Sequence, residues 1–139
     1  ADTATVESVP PVFVAGYLEP GASLQVAHYD RLAAVRQKVG ALVGRTFVQA
    51  RDVFDLRVLG LDAPHGPLVD HLIEQVELRE LEAALDRALE ISFEEYDGQV
   101  VEFLADDARD RFGSRGAWDE IRLEVAQAIE SAARGSRKS

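Results

Sequence analysis

Lys38, Arg45, Arg51, Asp52 and Asp55 are the residues whose types and spacing could do chemistry in this chain. They fall in one run, Arg31 to Leu59, where six basic residues (Arg31, Arg36, Lys38, Arg45, Arg51, Arg57) meet two acids, a balance of +4. Lys38 lies three residues after Val35 and four before Leu42, at the margin of an apolar helical stripe. A lysine there either snorkels its ammonium to water or offers it to an anion beside the core. Asp52 and Asp55 are three positions apart, so on a helix both carboxylates point to one side. Paired carboxylates can hold Mg²⁺, act as base and orienter, or pair with arginines such as Arg45, Arg51 or Arg57. The plainer expectation for an Asp/Arg cluster near a helix start is surface electrostatics.

The elements that must position these residues are mostly helical. Asp30 is placed as an N-cap, and Leu32, Val35, Val39 and Leu42 repeat at three- and four-residue steps until Gly44 stops the helix. A second helix is expected from about Phe47 to Leu61, with Phe54, Val58 and Leu61 on one stripe and Val53, Leu56 and Leu59 widening it. The stretch Asp62-Ala63-Pro64-His65-Gly66-Pro67 breaks it. A long acidic helix follows over roughly 68–89, with a break expected near Glu80. Ser92 is placed as the cap of a helix reaching Val100 and Leu104. Trp118, Ile121, Val125 and Ile129 mark the last helix.

The N-terminal end reads differently. Residues 1–11 form a leader ending in Pro10-Pro11. Residues 12–18 are rich in strand formers and close at the turn Glu19-Pro20-Gly21, and Ser23 to His28 reads as a second short strand. The fold class expected is α+β, mainly α: a short N-terminal β element followed by a helical bundle. One domain spans 12–134, and 135–139 is read as a flexible tail.

Bulk composition narrows the function. A chain of 139 residues with 47% hydrophobic content buries a real core. A net charge of −10 argues against binding nucleic acid through a broad basic surface. The charge is uneven, however: from Asp62 to Asp107 two basic residues face fourteen acidic ones. That leaves a local polyanion site open in the basic run, while the plainer reading is a small domain with one ordinary solvated acidic face. Cysteine is absent, which removes thiolate nucleophiles and cysteine metal sites and suits a cytoplasmic location. No apolar run approaches the ~20 residues that span a bilayer, so no membrane partner is expected.

Lys38 with Ala41-Leu42 and Arg45, followed by Ala50-Arg51-Asp52-Val53-Phe54-Asp55-Leu56, resembles the later part of the AbiEii/AbiGii-type (MenT-like) nucleotidyltransferase toxins. In that family a strand leads into a helix bearing K-x-x-A-L, and a following helix opens with A-R-D-x-x-D-L. The resemblance covers roughly residues 12–60 and concerns only the C-terminal portion of the family. It implies a bacterial toxin–antitoxin or phage-defence enzyme of the polymerase-β-type superfamily, moving a nucleotide from an NTP to an acceptor such as tRNA. Lys38 then matches the lysine that contacts phosphate and Asp52 the aspartate that completes the site. Arg45, Arg51 and Asp55 are expected to contact nucleotide or RNA or support the geometry, and an antitoxin protein is an expected partner.

The family's earlier glycine-serine motif and its two metal-binding acids have no counterpart before Lys38, where the only acids are Asp2, Glu7, Glu19 and Asp30. Gly113-Ser114 with Asp119 imitates that motif at the wrong end and reads as a loop and cap. No metal ligand is therefore assigned within the chain, and Mg²⁺ is expected only where a missing metal-binding segment supplies its ligands. The alternative is a non-catalytic helical protein-binding module, or a truncated relative without activity. His28, His65 and His71 have no metal-ligand spacing.

Overall fold

A computed structural model describes residues 28–47 and 49–138. Among them the chain is mainly helical, with no strand: α1 (His28–Gly44), α2 (Ala50–Val58), α3 (Pro67–Gln75), α4 (Leu78–Glu90), α5 (Phe93–Gln99), a 3₁₀ turn (Val101–Phe103), α6 (Asp106–Phe112) and α7 (Arg115–Lys138). The leader and the β element expected at 12–28 lie outside the described residues, except that His28 opens α1. None of these helices is long and apolar enough to cross a membrane.

α2 is the centre of the bundle. It buries Ala50, Asp52, Val53, Phe54, Asp55 and Leu56 and touches α1, α5 and α7. A helix apolar around most of its circumference must be covered on several sides. α1 supplies Val35, Val39 and Leu42, and α7 supplies Trp118, Ile121, Val125 and Ile129, all buried. α7 also packs along α3 and α4. Buried alanines on both sides (Ala84 and Ala88 of α4; Ala128, Ala132 and Ala133 of α7) leave room for close helix approach.

Several boundaries differ from expectation, each for a physical reason. Asp30 sits inside the first turn of α1 and is not its N-cap. α2 starts at Ala50, not Phe47, which is 79% exposed in a bend. The orphan amide of Ala50 donates 2.6 Å to Gln99 Oε1, so α5 caps α2 from 49 residues away. α2 also ends earlier than Leu61. Leu61 N–H bonds Leu56 O and Gly60 N–H bonds Arg57 O, a Schellman stop with Gly60 at φ 106°.

The long acidic helix is two helices, parted at Val76–Glu77 and not at Glu80. Leu72 and Leu81 are both fully buried. On one straight helix, at roughly 100° per residue, they would face opposite ways, so the chain must turn between them. Ser92 does cap α5, in a capping box with Glu95, but α5 ends at Gln99. α6 was not expected; it buries only Ala108, too little for a periodic signal. α7 runs through Lys138 and so takes in residues 135–138 of the segment read as a flexible tail. A Cβ on Gly135 would come within 2.7 Å of Ile73 Cδ1, so this glycine permits close packing on α3 and does not stop the helix.

Candidate functional site

The site is built where α1 lies against the first turn of α2. Lys38, fourteen residues before Asp52, is carried there because Val35, Val39 and Leu42 bury the adjoining stripe of α1. Gly44 then ends α1, and Arg45 N–H still donates to Ala41 O at 3.2 Å. Arg87 of α4 donates 3.1 Å to Arg45 O, which fixes the corner from outside. α2 starts four residues beyond Thr46, and Asp52 falls in its first turn, where a carboxylate suits the helix dipole.

Four of the five expected residues converge. Arg45 Nε donates to Asp52 Oδ2 at 2.7 Å and its Nη2 to Asp52 Oδ1 at 3.3 Å, a forked pair. Lys38 Nζ lies 3.4 Å from Asp52 Oδ1 and 2.8 Å from Asp55 Oδ2. Arg51 is exposed, and only its field reaches Asp55. Arg57 belongs elsewhere, pairing with Glu124 at 2.7 Å and Asp62 at 3.5 Å.

The expectation that the aspartates form a surface cluster is overturned. Asp52 is 0% and Asp55 1% exposed. Lys38, with a 16% exposed side chain, reaches the chain's own carboxylates, and Arg45 at 47% forms the solvent edge. The cluster is thus charge-balanced, two cations on two anions, and it opens to water through its cations.

Its hydrogen bonding is incomplete. Lys38 Nζ at 2.8 Å is the one close cation on Asp55 Oδ2, and Asp55 Oδ1 has no hydrogen-bond donor among the described residues. Burial pushes the Asp55 carboxyl above its ordinary range, against the opposing pull of Lys38 and Arg51. The hydrogen bond and charge of Asp52 hold the Arg45 guanidinium above its already high value.

These carboxylates do not fit a divalent cation. Lys38 Nζ already occupies the approach to Asp55, and Arg45 covers both oxygens of Asp52. Among the described residues no group of three or more His, Asp or Glu is placed to hold a metal. Ser114 caps α7 by accepting from Ala117 N–H at 3.0 Å, which makes Gly113-Ser114 a loop and cap, as read. The residue that sequence reasoning missed is Gln99, whose amide sets where α2 starts and hence where Asp52 points. No local signal marks it.

No protein-family model, curated protein or solved structure matches the chain.

Proposed function

We propose that this chain forms the phosphate-neutralising half of a nucleotidyltransferase site, acting from an NTP to an acceptor such as tRNA. The observation that supports the reading is the meeting of Lys38 with Asp52 and Asp55, from two separate motifs, at 3.4 and 2.8 Å. In such a transfer an acceptor hydroxyl attacks the α-phosphorus, the bond to the β-phosphate oxygen breaks, and pyrophosphate leaves. Negative charge builds on phosphoryl and leaving oxygens, so catalysis is mainly positioning and neutralisation. Lys38, at the rim, donates to a phosphate oxygen. Asp52, clamped by Arg45, holds the ammonium where that oxygen arrives, and Asp55 supports it from below. Mg²⁺, the charge-neutralising metal of this chemistry, would be held by acids from another segment or chain.

The test is NTP-dependent labelling of total RNA in the presence of Mg²⁺ by the whole gene product, compared with Lys38→Ala and Asp52→Ala. Loss of about a hundredfold or more in each variant is expected, the scale of removing one electrostatic stabiliser. Labelling unchanged in both variants overturns the site assignment.

A second reading takes the same cluster as an internal clasp in a non-catalytic protein-binding module. The near-complete burial and charge balance of Asp52 and Asp55 favour it. A wild-type protein that never labels RNA, yet is destabilised by Asp52→Ala, decides for this reading.

A further inference from the structure

Arg31, Lys38 and Arg45 recur at seven-residue steps along α1 and its exit, and so lie along one side of it. Lys38 and Arg45 are neutralised by aspartates, whereas the partly exposed Arg31 meets no carboxylate among the described residues. Its Nε is buried without a hydrogen-bond partner, and among the described residues its guanidinium has no ion pair. That is unusual in a chain with 25 acids to 15 bases. A buried donor left unsatisfied is destabilising, and an arginine fork matches a phosphate in shape.

Arg31 lines a cavity of about 200 Å³ with Gly60, Leu61, His65 and the start of α3. Gly60, at φ 106°, stands beside the guanidinium: a Cβ there would be in ordinary contact, 3.9 Å from Arg31 Nη1 and 3.6 Å from Leu68 Cδ1. The other wall is equally uncompensated. Gly66 is the N-cap of α3 and brings no capping side chain, and Pro67 at the first position has no N–H. The amides of Leu68 and Val69 are orphan donors of this helix start, and no acceptor for them exists among the described residues. The cavity runs, through His65, Gly66 and Val69, into a wider groove of about 450 Å³ bordered by Arg134 and Lys138 of α7. Among the described residues Asp70 is the one acid lining that groove, and Arg134 there is paired with Glu130 at 3.1 Å. Asp62, nearby in sequence, is engaged by Arg57.

We infer that this cavity is a phosphate-binding site, in which the Arg31 guanidinium and the Leu68 and Val69 amides hold one phosphate of an RNA backbone. The strand would continue along the groove toward Arg134 and Lys138. Arg31 carries the site, and the helix start adds two donors and the positive end of its dipole. The phosphate site stands by itself; assigning it to RNA rests on the nucleotidyl-transfer reading, in which it seats the acceptor two helical turns from Lys38.

The experiment titrates the full ¹⁵N-labelled chain with inorganic phosphate, then with ATP and with a short single-stranded RNA at fixed salt. Saturable shifts of the Leu68 and Val69 amides and of Arg31 Nε–H are expected. Arg31→Ala, and Arg31→Gln as the better-tolerated variant, should weaken phosphate about tenfold, whereas Lys38→Ala should leave these shifts in place. RNA should bind more tightly than ATP, and its log–log salt slope should fall by about one in Arg31→Gln. No saturable shift at Leu68 and Val69, or undiminished wild-type affinity in both Arg31 variants, overturns the site. Phosphate binding with no gain for RNA over ATP overturns the backbone assignment. None of these readouts uses RNA labelling, so failure here is distinct from failure of the proposed activity.

Discussion

α2 meets two buried surroundings within nine residues. On one side Phe54 joins an aromatic cluster, 5.7 Å from the Phe112 ring and 6.2 Å from Tyr96, which stacks on Trp118 at 4.3 Å. On the other, Asp52 and Asp55 face Lys38 and Arg45. The polar atoms of the aromatic side are satisfied. Tyr96 Oη donates 2.7 Å to Phe112 O, and Trp118 Nε1 donates 3.2 Å to Ile91 O. On the ionic side Asp55 Oδ2 has Lys38 at 2.8 Å, while Asp55 Oδ1 has no donor among the described residues. Hydrocarbon in the same volume often matches or exceeds a buried ion pair in stability. The two sides are held differently: apolar packing with its polar atoms satisfied on one, and ion pairs that reach the solvent edge on the other.

Trp118→Ala tests the aromatic side and has the largest expected effect. It empties a fully buried site, removes the stack on Tyr96 and takes from Ile91 O one of its two donors, with Arg122 Nη1 remaining at 3.2 Å. The stability loss should be about 3–5 kcal/mol in urea unfolding. A loss below about 1 kcal/mol would mean that the cluster is not the anchor of the bundle.

Asp52→Ala tests the ionic side and ranks next. Breaking a buried pair by removing one partner costs about 3–5 kcal/mol when the remaining charge is trapped. Here Arg45 can turn to water and Lys38 keeps Asp55, so a loss of about 2 kcal/mol is expected, at or below the low end of that range. A gain in stability would identify the cluster as wholly a functional burden. A loss equal to that of Trp118→Ala would erase the contrast between the two sides.

How much of this was legible follows the range of the interactions. The i, i+3 spacing of Asp52 and Asp55 and the stripe Val35, Val39, Leu42 are local, and the sequence carries both. The burial of the two aspartates is not local. It depends on α1 folding back so that Lys38 and Arg45 arrive from seven to seventeen residues away. The start of α2 depends on Gln99, which is farther still. Even so, the turn at Val76–Glu77 was recoverable, since Leu72 and Leu81 cannot share a face on one helix. α6 was out of reach because a seven-residue helix with one buried alanine leaves no periodic trace.

The smallest effect is the most diagnostic, and it concerns the proton on Asp55. Burial raises this carboxyl in the fold above its value in the unfolded chain. Between those two values the native state binds more protons than the unfolded state, so stability falls as pH rises through that window. The Asp55 contribution is therefore most favourable below the ordinary carboxylate range and is lost as pH climbs through the raised native value. Asp55→Asn keeps the shape and removes the titration, while Lys38 retains Asp52 at 3.4 Å. The difference in unfolding free energy, wild type minus variant, should be flat at low pH and decline across that window. A difference that instead rises with pH would show that the Lys38 ammonium outweighs burial. The ionic side would then stabilise the fold as the aromatic side does, and its readiness to give Lys38 to a phosphate would lose its physical basis.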